Sequence, residues 1–450
     1  MDRRRLEDLL AREREQFVRR HPGSALVHQH AEHLLARVPM SWMTEWSGGF
    51  PLAMATARGN RITDVDGLDY VDFALGDTGA MAGHSPDATV RAVTERMSTL
   101  GGITTILPTE DAEWVGAELA RRFSLAKWSF TLSATDANRW ALRLARLATA
   151  RDKILVFSYC YHGSVDETLV VVDPEGHPAV RASNVAPGVS PLATTRVVEW
   201  NDLEALEREL AHRDVAAILM EPALTNIGIV LPEPGFHTAL RELATRYGTL
   251  VMIDETHTIS AGPGGMTARD SLEPDILVIG KSLGGGIACG AYGLSDELAG
   301  DVLRAAGASG LGDVGGVGGT LAGNVLSLAA MRATLDLVLT DEAFATMIDT
   351  ATQFTKDVRD VLDDFDLAWT VTQLGARAEY RFTRPAPRNG GEAAAAGDPG
   401  LDEFMHLYTL NRGILMTPFH NMALMCPSTS VADVELHGEV FASAVTELVG

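Results

Sequence analysis

The sequence lacks a long apolar run, an excess of positive charge and more than a few cysteines. No stretch is long enough to span a bilayer, and residues 1–17 mix both charge signs without the apolar core of a secretory signal. A formal charge of −23, from 37 Lys and Arg against 60 Asp and Glu, argues against nucleic-acid or anionic-membrane partners. Cys160, Cys289 and Cys426 fit neither a disulfide framework nor a metal site. We therefore expect a cytoplasmic protein that binds no metal.

What the chain has instead is length and periodicity. Its 450 residues, 46% of them hydrophobic, are enough to bury a large core. Residues 3–37 carry apolar residues at helical spacing, and residues 60–75 alternate as in a β-hairpin that turns at Asp66-Gly67. From 84 to 335, short apolar strands alternate with amphipathic helices. This pattern predicts an α/β fold with a mostly parallel central sheet and helices on both faces.

The remaining residues predict a smaller domain. A long helix from about residue 321 is followed by mixed strands and helices, which a low-complexity loop at 385–400 interrupts. We expect an N-terminal helical and hairpin segment at 1–75 that joins the small domain. A large domain then covers 76–335, and a C-terminal small α+β domain covers 336–450.

A lysine follows one of the apolar strands directly. The segment ILVIGKSLGGG (276–286) runs from a strand into Lys281. The end of a buried strand disfavours a charged ammonium group, and the neutral amine is the form that Schiff-base chemistry requires. A surface lysine after a strand remains the plainer interpretation of an isolated G-K-S. The segment is not a phosphate-binding Walker A loop, because that motif needs glycine where this chain has Asp275.

A second apolar strand closes on two carboxylates. The segment TLVMIDETHT (249–258) ends at Asp254 and Glu255. A carboxylate at the carboxyl end of a strand beside the lysine strand is suited to pair with a pyridinium nitrogen and keep it protonated. Mg²⁺ binding and a simple turn cap fit the same residues. The missing Walker A loop argues against an ATPase.

Three further segments suit an anionic or aromatic ligand. The helix after WSFTLS opens at Ser133-Ala134-Thr135, where backbone N–H groups can bind phosphate, although such residues also serve as plain N-caps. In KILVFSYCYHGS (153–164), Tyr159 or Tyr161 is placed either to lie over a cofactor ring or to pack in the core. A glycine-rich stretch at 307–320 ends on Thr320, which suits an anion site or a lid.

The order of these segments resembles the class III family of ω-aminotransferases and glutamate-1-semialdehyde aminomutases. The resemblance covers residues 38–440, including GHS at 83–85 and the strand-end Glu221-Pro222. The family turn S-G-T-E-A appears here as S-A-T-D-A (133–137), with alanine for glycine and Asp for Glu. The resemblance implies a fold-type I transferase that uses pyridoxal 5'-phosphate (PLP). It also implies a homodimer in which Thr320 reaches the phosphate in the neighbouring active site.

The resemblance also assigns roles to residues. It places Lys281 in the Schiff base with PLP, Asp254 on the pyridine nitrogen and Tyr161 on one ring face, and these three are the candidate catalytic residues. Thr256 packs on the other ring face, and His257 lies where some members carry Gln toward the ring hydroxyl. The full candidate set for cofactor binding is Ser133, Ala134, Thr135, Tyr161, His162, Glu221, Asp254, Thr256, His257, Lys281 and Thr320.

The reaction implied is a ping-pong transamination between an amine donor and a keto or aldehyde acceptor, in which Lys281 is both nucleophile and base. An aminomutase, which would retain one substrate through both half-reactions, and a β-amino acid aminotransferase use the same kind of site. A non-catalytic nucleotide-binding α/β protein with structural Lys281 and Asp254 is a remote alternative.

Substrate choice depends on two divergent stretches. Family members that act on amino acids commonly hold the carboxylate with an arginine, but residues 39–46 and 416–425 carry aromatic and Met residues instead. Trp42, Phe419 and His420 are the candidate pocket residues, and Arg412 looks like a surface residue. We expect an apolar pocket that accepts small-molecule amines, with packing at a dimer interface as the alternative role of these side chains.

Overall fold

The computed structural model describes residues 2–307 and 316–450. Its helices are α1 Arg3–Arg20, α2 Pro22–His30, α3 Asp87–Glu95, α4 Glu110–Phe123, α5 Ala134–Thr149, α6 Leu203–Leu210, α7 Phe236–Tyr247, α8 Gly265–Arg269, α9 Asp296–Ala306, α10 Val325–Leu337, α11 Asp341–Asp364, α12 Gly390–Ala395, α13 Pro399–Leu410 and α14 Val431–Val449. Its strands are β1 Met54–Arg58, β2 Arg61–Asp64, β3 Asp69–Asp72, β4 Lys127–Thr131, β5 Lys153–Phe157, β6 Val170–Val172, β7 Pro178–Val180, β8 Thr195–Val198, β9 Val215–Met220, β10 Leu250–Asp254, β11 Ile276–Ile279, β12 Gly290–Leu294, β13 Thr370–Leu374, β14 Arg377–Arg381, β15 Ile414–Leu415 and β16 Met422–Leu424.

The described chain divides into two compact units. Unit 1 consists of Met1–Pro86, Glu342–Ala386 and Ala396–Gly450, and unit 2 of Asp87–Asp341 and Pro387–Ala395. Among the described residues, no helix combines the length and the apolar character needed to cross a bilayer.

Unit 2 is built on a seven-stranded sheet in the order β4-β12-β11-β10-β9-β5-β8. The strands from β11 to β8 are parallel, whereas β12 runs antiparallel to both β11 and β4. Strands β9 and β11 are buried along their whole length, as expected for a sheet covered on both faces. Helix α5 packs on β9, β11 and β12, and α7 packs on β10. The predicted α/β fold with a mostly parallel sheet is therefore confirmed.

Unit 1 contains two smaller sheets with helices against them. One has the strand order β1-β2-β3-β15 and the other β13-β14-β16. Strands β2 and β3 form the hairpin predicted around Asp66-Gly67. Helices α1 and α2 occupy the N-terminal stretch that showed helical periodicity, and α1 packs on α13.

The structure differs from the sequence prediction at two places. Residues 385–400 are not only a loop, because α12 forms within them and Glu199 accepts hydrogen bonds from the backbone N–H groups of Gly390 (3.1 Å) and Gly391 (3.3 Å). Strand β12 was not predicted, because two of its five residues are glycine, which is uncommon in strands. At Gly293 an added Cβ would lie 2.7 Å from the Trp128 ring, so the neighbouring strand requires that glycine.

Candidate active site

The carboxyl ends of four adjacent parallel strands bring polar side chains to one edge of the unit 2 sheet. Asp254 ends β10, Lys281 follows β11, Glu221 follows β9, and His162 lies in the loop after β5. The register pairs Asp254 with Val278 near the carboxyl ends of β10 and β11. Ligands of open α/β sheets bind at this edge.

Asp254 is buried and held by three hydrogen-bond donors. Its Oδ2 accepts from Asn138 Nδ2 at 2.8 Å and from His162 Nδ1 at 3.0 Å, and its Oδ1 accepts from the Thr256 backbone N–H at 3.1 Å. Burial alone would raise the pKa of Asp254, but these donors and the charge of His162 outweigh it and lower the pKa. The Asp254 carboxylate therefore stays ionised.

His162 and Asn138 both donate hydrogen bonds to this carboxylate. Burial lowers the pKa of His162, but its electrostatic and hydrogen-bond interactions with Cys160 and Asp254 outweigh that effect and raise the pKa overall. Asn138 is fully buried in α5, and its amide also donates to the His162 carbonyl oxygen at 3.2 Å. Asn138 was missed from the sequence. The available signal was a polar residue on the helix face that otherwise buries Ala137 and Ala141.

Lys281 opens a short turn directly after β11. Its backbone has φ of +49°, a left-handed conformation that is uncommon for residues other than glycine. Its Nζ lies 2.8 Å from Nε2 of the buried His257. At the preceding Gly280, an added Cβ would lie 3.0 Å from the backbone nitrogen and Cβ of Ala134. The backbone just before the lysine therefore lies close to the N-terminus of α5.

The N-terminus of α5 lies at this same edge, where Ser133, Ala134 and Thr135 are partly buried. Ser133 caps the helix by accepting a hydrogen bond from the Asp136 backbone N–H at 3.2 Å. The first N–H groups of a helix precede its internal hydrogen bonds and are available to an anion. Thr135 Oγ1 accepts from the Ser164 backbone N–H at 3.3 Å. An added Cβ at Gly163 would lie only 2.0 Å from Thr135 Oγ1. The loop that carries Tyr161, His162 and Gly163 is therefore in close contact with the start of α5.

These groups fit the pyridoxal phosphate that the sequence resemblance implies. An ionised carboxylate suits a protonated ring nitrogen, an amine suits an aldehyde, and a helix N-terminus suits a phosphate. Beside Lys281, the fully buried Ser282 hydroxyl has no hydrogen-bond partner among the described residues. Such a group fits a site that receives a polar ligand.

The remaining predicted cofactor residues differ in burial. Buried Glu221 accepts from the Thr225 backbone N–H (2.9 Å) and hydroxyl (3.3 Å). The Arg181 guanidinium lies 5.6 Å from the Tyr159 ring centroid, whereas Tyr161 is half-buried in the loop before His162. Thr320 is exposed, and most of the glycine-rich stretch before it, residues 308–315, lies outside the described residues.

The predicted pocket residues form an aromatic cluster in unit 1. The Trp42 and Phe419 rings meet edge to face, with centroids 5.4 Å apart, and the Phe419 and His420 rings are 5.1 Å apart. His420 is buried, and its Nδ1 lies 3.4 Å from Oε1 of the buried Glu379. Arg412 is not a simple surface residue. Its guanidinium covers the Tyr408 ring and lies 3.1 Å from a Glu13 carboxylate oxygen, so it is engaged in packing α13 against α1.

Comparisons with known proteins agree with this geometry. The model of the family "Aminotransferase class-III" matches residues 42–442. A glutamate-1-semialdehyde 2,1-aminomutase of Sorangium cellulosum is 34% identical over 395 residues, which are 86% of this chain and 87% of that protein.

Solved structures give the same result. A glutamate-1-semialdehyde aminomutase of Pseudomonas aeruginosa is 49% identical with a TM-score of 0.96, covering 100% of this chain and 99% of that one. A lysine-to-alanine variant of a glutamate-1-semialdehyde aminomutase of Pseudomonas aeruginosa was solved in complex with PMP. It is 48% identical with a TM-score of 0.96, covering 100% of this chain and 99% of that one. An ω-transaminase of Sphaerobacter thermophilus is 27% identical with a TM-score of 0.85, covering 96% of this chain and 100% of that one.

Proposed function

Because the chain belongs to the class III aminotransferase family, whose enzymes use PLP, we propose that it transfers amino groups by ping-pong chemistry at Lys281. The observation that carries the proposal is the convergence of Lys281, ionised Asp254 and the N-terminus of α5 at one sheet edge. The resemblance found in the sequence is confirmed by the family match, and so is the PLP cofactor.

When bound, PLP supplies an aldehyde for amine capture and a ring that withdraws electrons from the reacting carbon. Lys281 Nζ would hold the cofactor covalently and would take up and return the proton of the reacting carbon. Asp254 would hold the proton on the ring nitrogen, and the buried donors from Asn138 and His162 keep its carboxylate ionised. Ser133, Ala134 and Thr135 bind the phosphate through the first turn of α5.

Other residues complete the proposed cofactor site. Tyr161 and Thr256 would hold the ring of the cofactor, and the buried Glu221 lies just after the end of β9 at the same sheet edge. His162 acts behind Asp254. Thr320 extends to the phosphate of a neighbouring subunit in a homodimer, a proposal supported by the exposure of its side chain.

We propose an apolar pocket for the amine substrate, formed by Trp42 and Phe419 with His420 beside them. Their mutual contacts support a shared role. A substrate carboxylate needs a positively charged partner, and residues 39–46 and 416–425 contain no arginine or lysine. Arg412 is an unsuitable candidate, because Glu13 and Tyr408 already engage it.

An aminomutase is the second candidate, favoured by the names of the relatives from Sorangium cellulosum and Pseudomonas aeruginosa. Such an enzyme uses the same residues but keeps both functional groups on one substrate. The two reactions differ in whether an external carbonyl compound is consumed.

One experiment separates the two. The purified protein is mixed with an amine, and turnover is followed with and without a keto or aldehyde acceptor. A transaminase stops after one equivalent per site without acceptor, whereas an aminomutase turns over glutamate-1-semialdehyde without one. Lys281→Ala should abolish both the visible absorbance and turnover, and Lys153→Ala, which removes a lysine paired with Asp214 at 3.4 Å, should abolish neither. Turnover by the Lys281→Ala protein would contradict the proposal.

We also propose a cytoplasmic location. Cys160, Cys289 and Cys426 are free thiols and all three are buried. Unpaired cysteines are typical of proteins in reducing compartments.

A further inference from the structure

Helix α12 lies in a short segment whose neighbours along the chain belong to the other unit. Pro387–Ala395 is part of unit 2, whereas Glu342–Ala386 and Ala396–Gly450 are part of unit 1. Ala393 of α12 is buried in the hydrophobic core of unit 2. A segment that only connected β14 to α13 would not need to bury an apolar side chain in that core. Helix α12 is therefore a packed part of unit 2.

The first residue of α12 contacts the backbone directly after β5. An added Cβ at Gly390 would lie 2.4 Å from the Ser158 carbonyl oxygen and 3.1 Å from Tyr159 Cβ. Because the nearer atom belongs to the backbone, no side-chain rotation can relieve that overlap. Position 390 therefore requires glycine, and the start of α12 is in close contact with the start of the loop that follows β5.

Glu199 joins α12 to the same loop through hydrogen bonds. It is the first residue after β8, the strand that pairs with β5. Its Oε2 accepts from the backbone N–H groups of Gly390 at 3.1 Å and Gly391 at 3.3 Å. Its carboxylate also accepts from the hydroxyl of Ser158, which is fully buried. One carboxylate therefore holds the start of α12 and the start of the loop together.

The loop held in this way continues to two residues of the proposed cofactor site. It runs through Tyr159 and Cys160 to Tyr161 and His162. Tyr159 has φ of +63°, a left-handed conformation that is uncommon for a bulky residue and persists only where its surroundings hold it. Arg181 contributes to this, because its Nη1 donates to the Cys160 carbonyl oxygen at 3.2 Å. The path of the loop is therefore set by contacts on several elements of unit 2.

We propose that Glu199 and α12 position the cofactor site by holding the loop that carries Tyr161 and His162. Glu199 contacts the backbone of α12 and the side chain of Ser158, so it acts through the loop and is a positioning residue. Loss of these contacts would allow Tyr161 and His162 to move away from the places that hold the ring of PLP and the Asp254 carboxylate. The proposal rests on the proposed function, which assigns this loop to a PLP site.

The test uses two pairs of variants of the full-length protein. Gly390→Ala introduces the overlap with the Ser158 backbone. Its matched control is Gly391→Ala, whose Cβ would lie 3.0 Å from Glu199 Oε1, the end of a flexible side chain. Glu199→Ala removes the shared acceptor, and Glu199→Gln keeps an acceptor oxygen. The control for this pair is Asp202→Ala, which removes the side-chain cap of α6 three residues further along the chain.

Three measurements are made on each protein. Absorbance titration of the cofactor-free protein gives its affinity for PLP, and visible circular dichroism of the loaded protein reports the surroundings of the bound ring. Amide hydrogen exchange of the cofactor-free protein reports how firmly peptides that cover residues 158–164 are held. The two pairs are independent, so either one decides the test if a variant of the other does not fold.

Gly390→Ala and Glu199→Ala should both bind PLP about tenfold more weakly, the size of the effect of losing one hydrogen bond to a charged group. Both should also reduce the visible circular dichroism and speed exchange at residues 158–164. Glu199→Gln should recover most of the affinity. Gly391→Ala should match the wild type, and Asp202→Ala should speed exchange in α6 without changing PLP affinity or exchange in the loop.

Three results would overturn the inference. The first is wild-type PLP affinity, dichroism and loop exchange in Gly390→Ala and Glu199→Ala. The second is faster loop exchange with unchanged PLP affinity, which would show that the loop is held for stability alone. The third is an equal loss of PLP affinity in Asp202→Ala, which would make the loss a general effect of destabilisation. In all three cases the wild type still binds PLP, whereas a wild type that binds none would overturn the proposed function itself.

Discussion

Asn138→Ala tests whether the buried support of Asp254 matters for chemistry. The change removes the 2.8 Å hydrogen bond to Asp254 Oδ2 and the 3.2 Å bond to the His162 carbonyl oxygen. Hydrogen bonds to charged groups contribute about 1.5–3 kcal/mol, so the ionised carboxylate loses about that much stabilisation. At about 1.4 kcal/mol per tenfold change in rate, amine conversion in a single turnover should slow by about 10- to 100-fold.

Asn421→Ala is the matched control in the other unit. Asn421 is also buried and donates to a partly buried aspartate, Asp402, at 2.6 Å, and each asparagine has an Oδ1 without a hydrogen-bond partner among the described residues. Both variants should lower the urea midpoint, but only Asn138→Ala should slow the single turnover. Equal rates in the two variants would refute the idea that Asn138 acts through Asp254.

The remaining predictions concern His162, Gly163 and Trp42. The pKa of His162 is raised in the folded protein, so its protonation stabilises the fold fully at pH values below its unfolded pKa of about 6.5, and this stabilisation is lost as pH rises through the folded pKa. The urea midpoint of the cofactor-free protein should therefore fall with rising pH. His162→Gln should flatten that slope. Gly163→Ala should weaken PLP binding in absorbance titrations because its Cβ meets Thr135 Oγ1, whereas Gly176→Ala, at a similar positive φ of +84° with no atom within 4 Å, should leave binding unchanged. Trp42→Ala should reduce kcat/KM for bulky apolar amines more than for small ones, and a uniform loss would contradict the apolar pocket.

The sequence was sufficient to find residues whose position depends on one strand. Lys281 and Asp254 each follow a short apolar run, and the carboxyl ends of parallel strands meet at one edge of a sheet. The helix start at Ser133 was equally visible, because a small-residue turn precedes an amphipathic helix. The alternation of strands and helices predicted the fold class, and the cofactor was implied by the resemblance of the ordered segments to the class III family.

Contacts that depend on register or on two distant segments were not visible. The contact between His257 and Lys281 joins the turns that follow β10 and β11, which are separate in the sequence. The role of Asn138 requires a helix and a strand separated by 116 residues to meet. Likewise, α12 within residues 385–400 depends on the distant Glu199 as a hydrogen-bond acceptor, a partner that local composition does not reveal.

Reduction of the purified protein with borohydride, followed by peptide mass spectrometry, tests the central claim most directly. The chain contains four lysines, Lys127, Lys153, Lys281 and Lys356, so a reduced cofactor link can be assigned without ambiguity. We expect the pyridoxyl phosphate mass on the Lys281 peptide alone, and its disappearance when an amine donor is added before reduction. A label on another lysine, or none on a protein incubated with PLP, would contradict the assignment of Lys281.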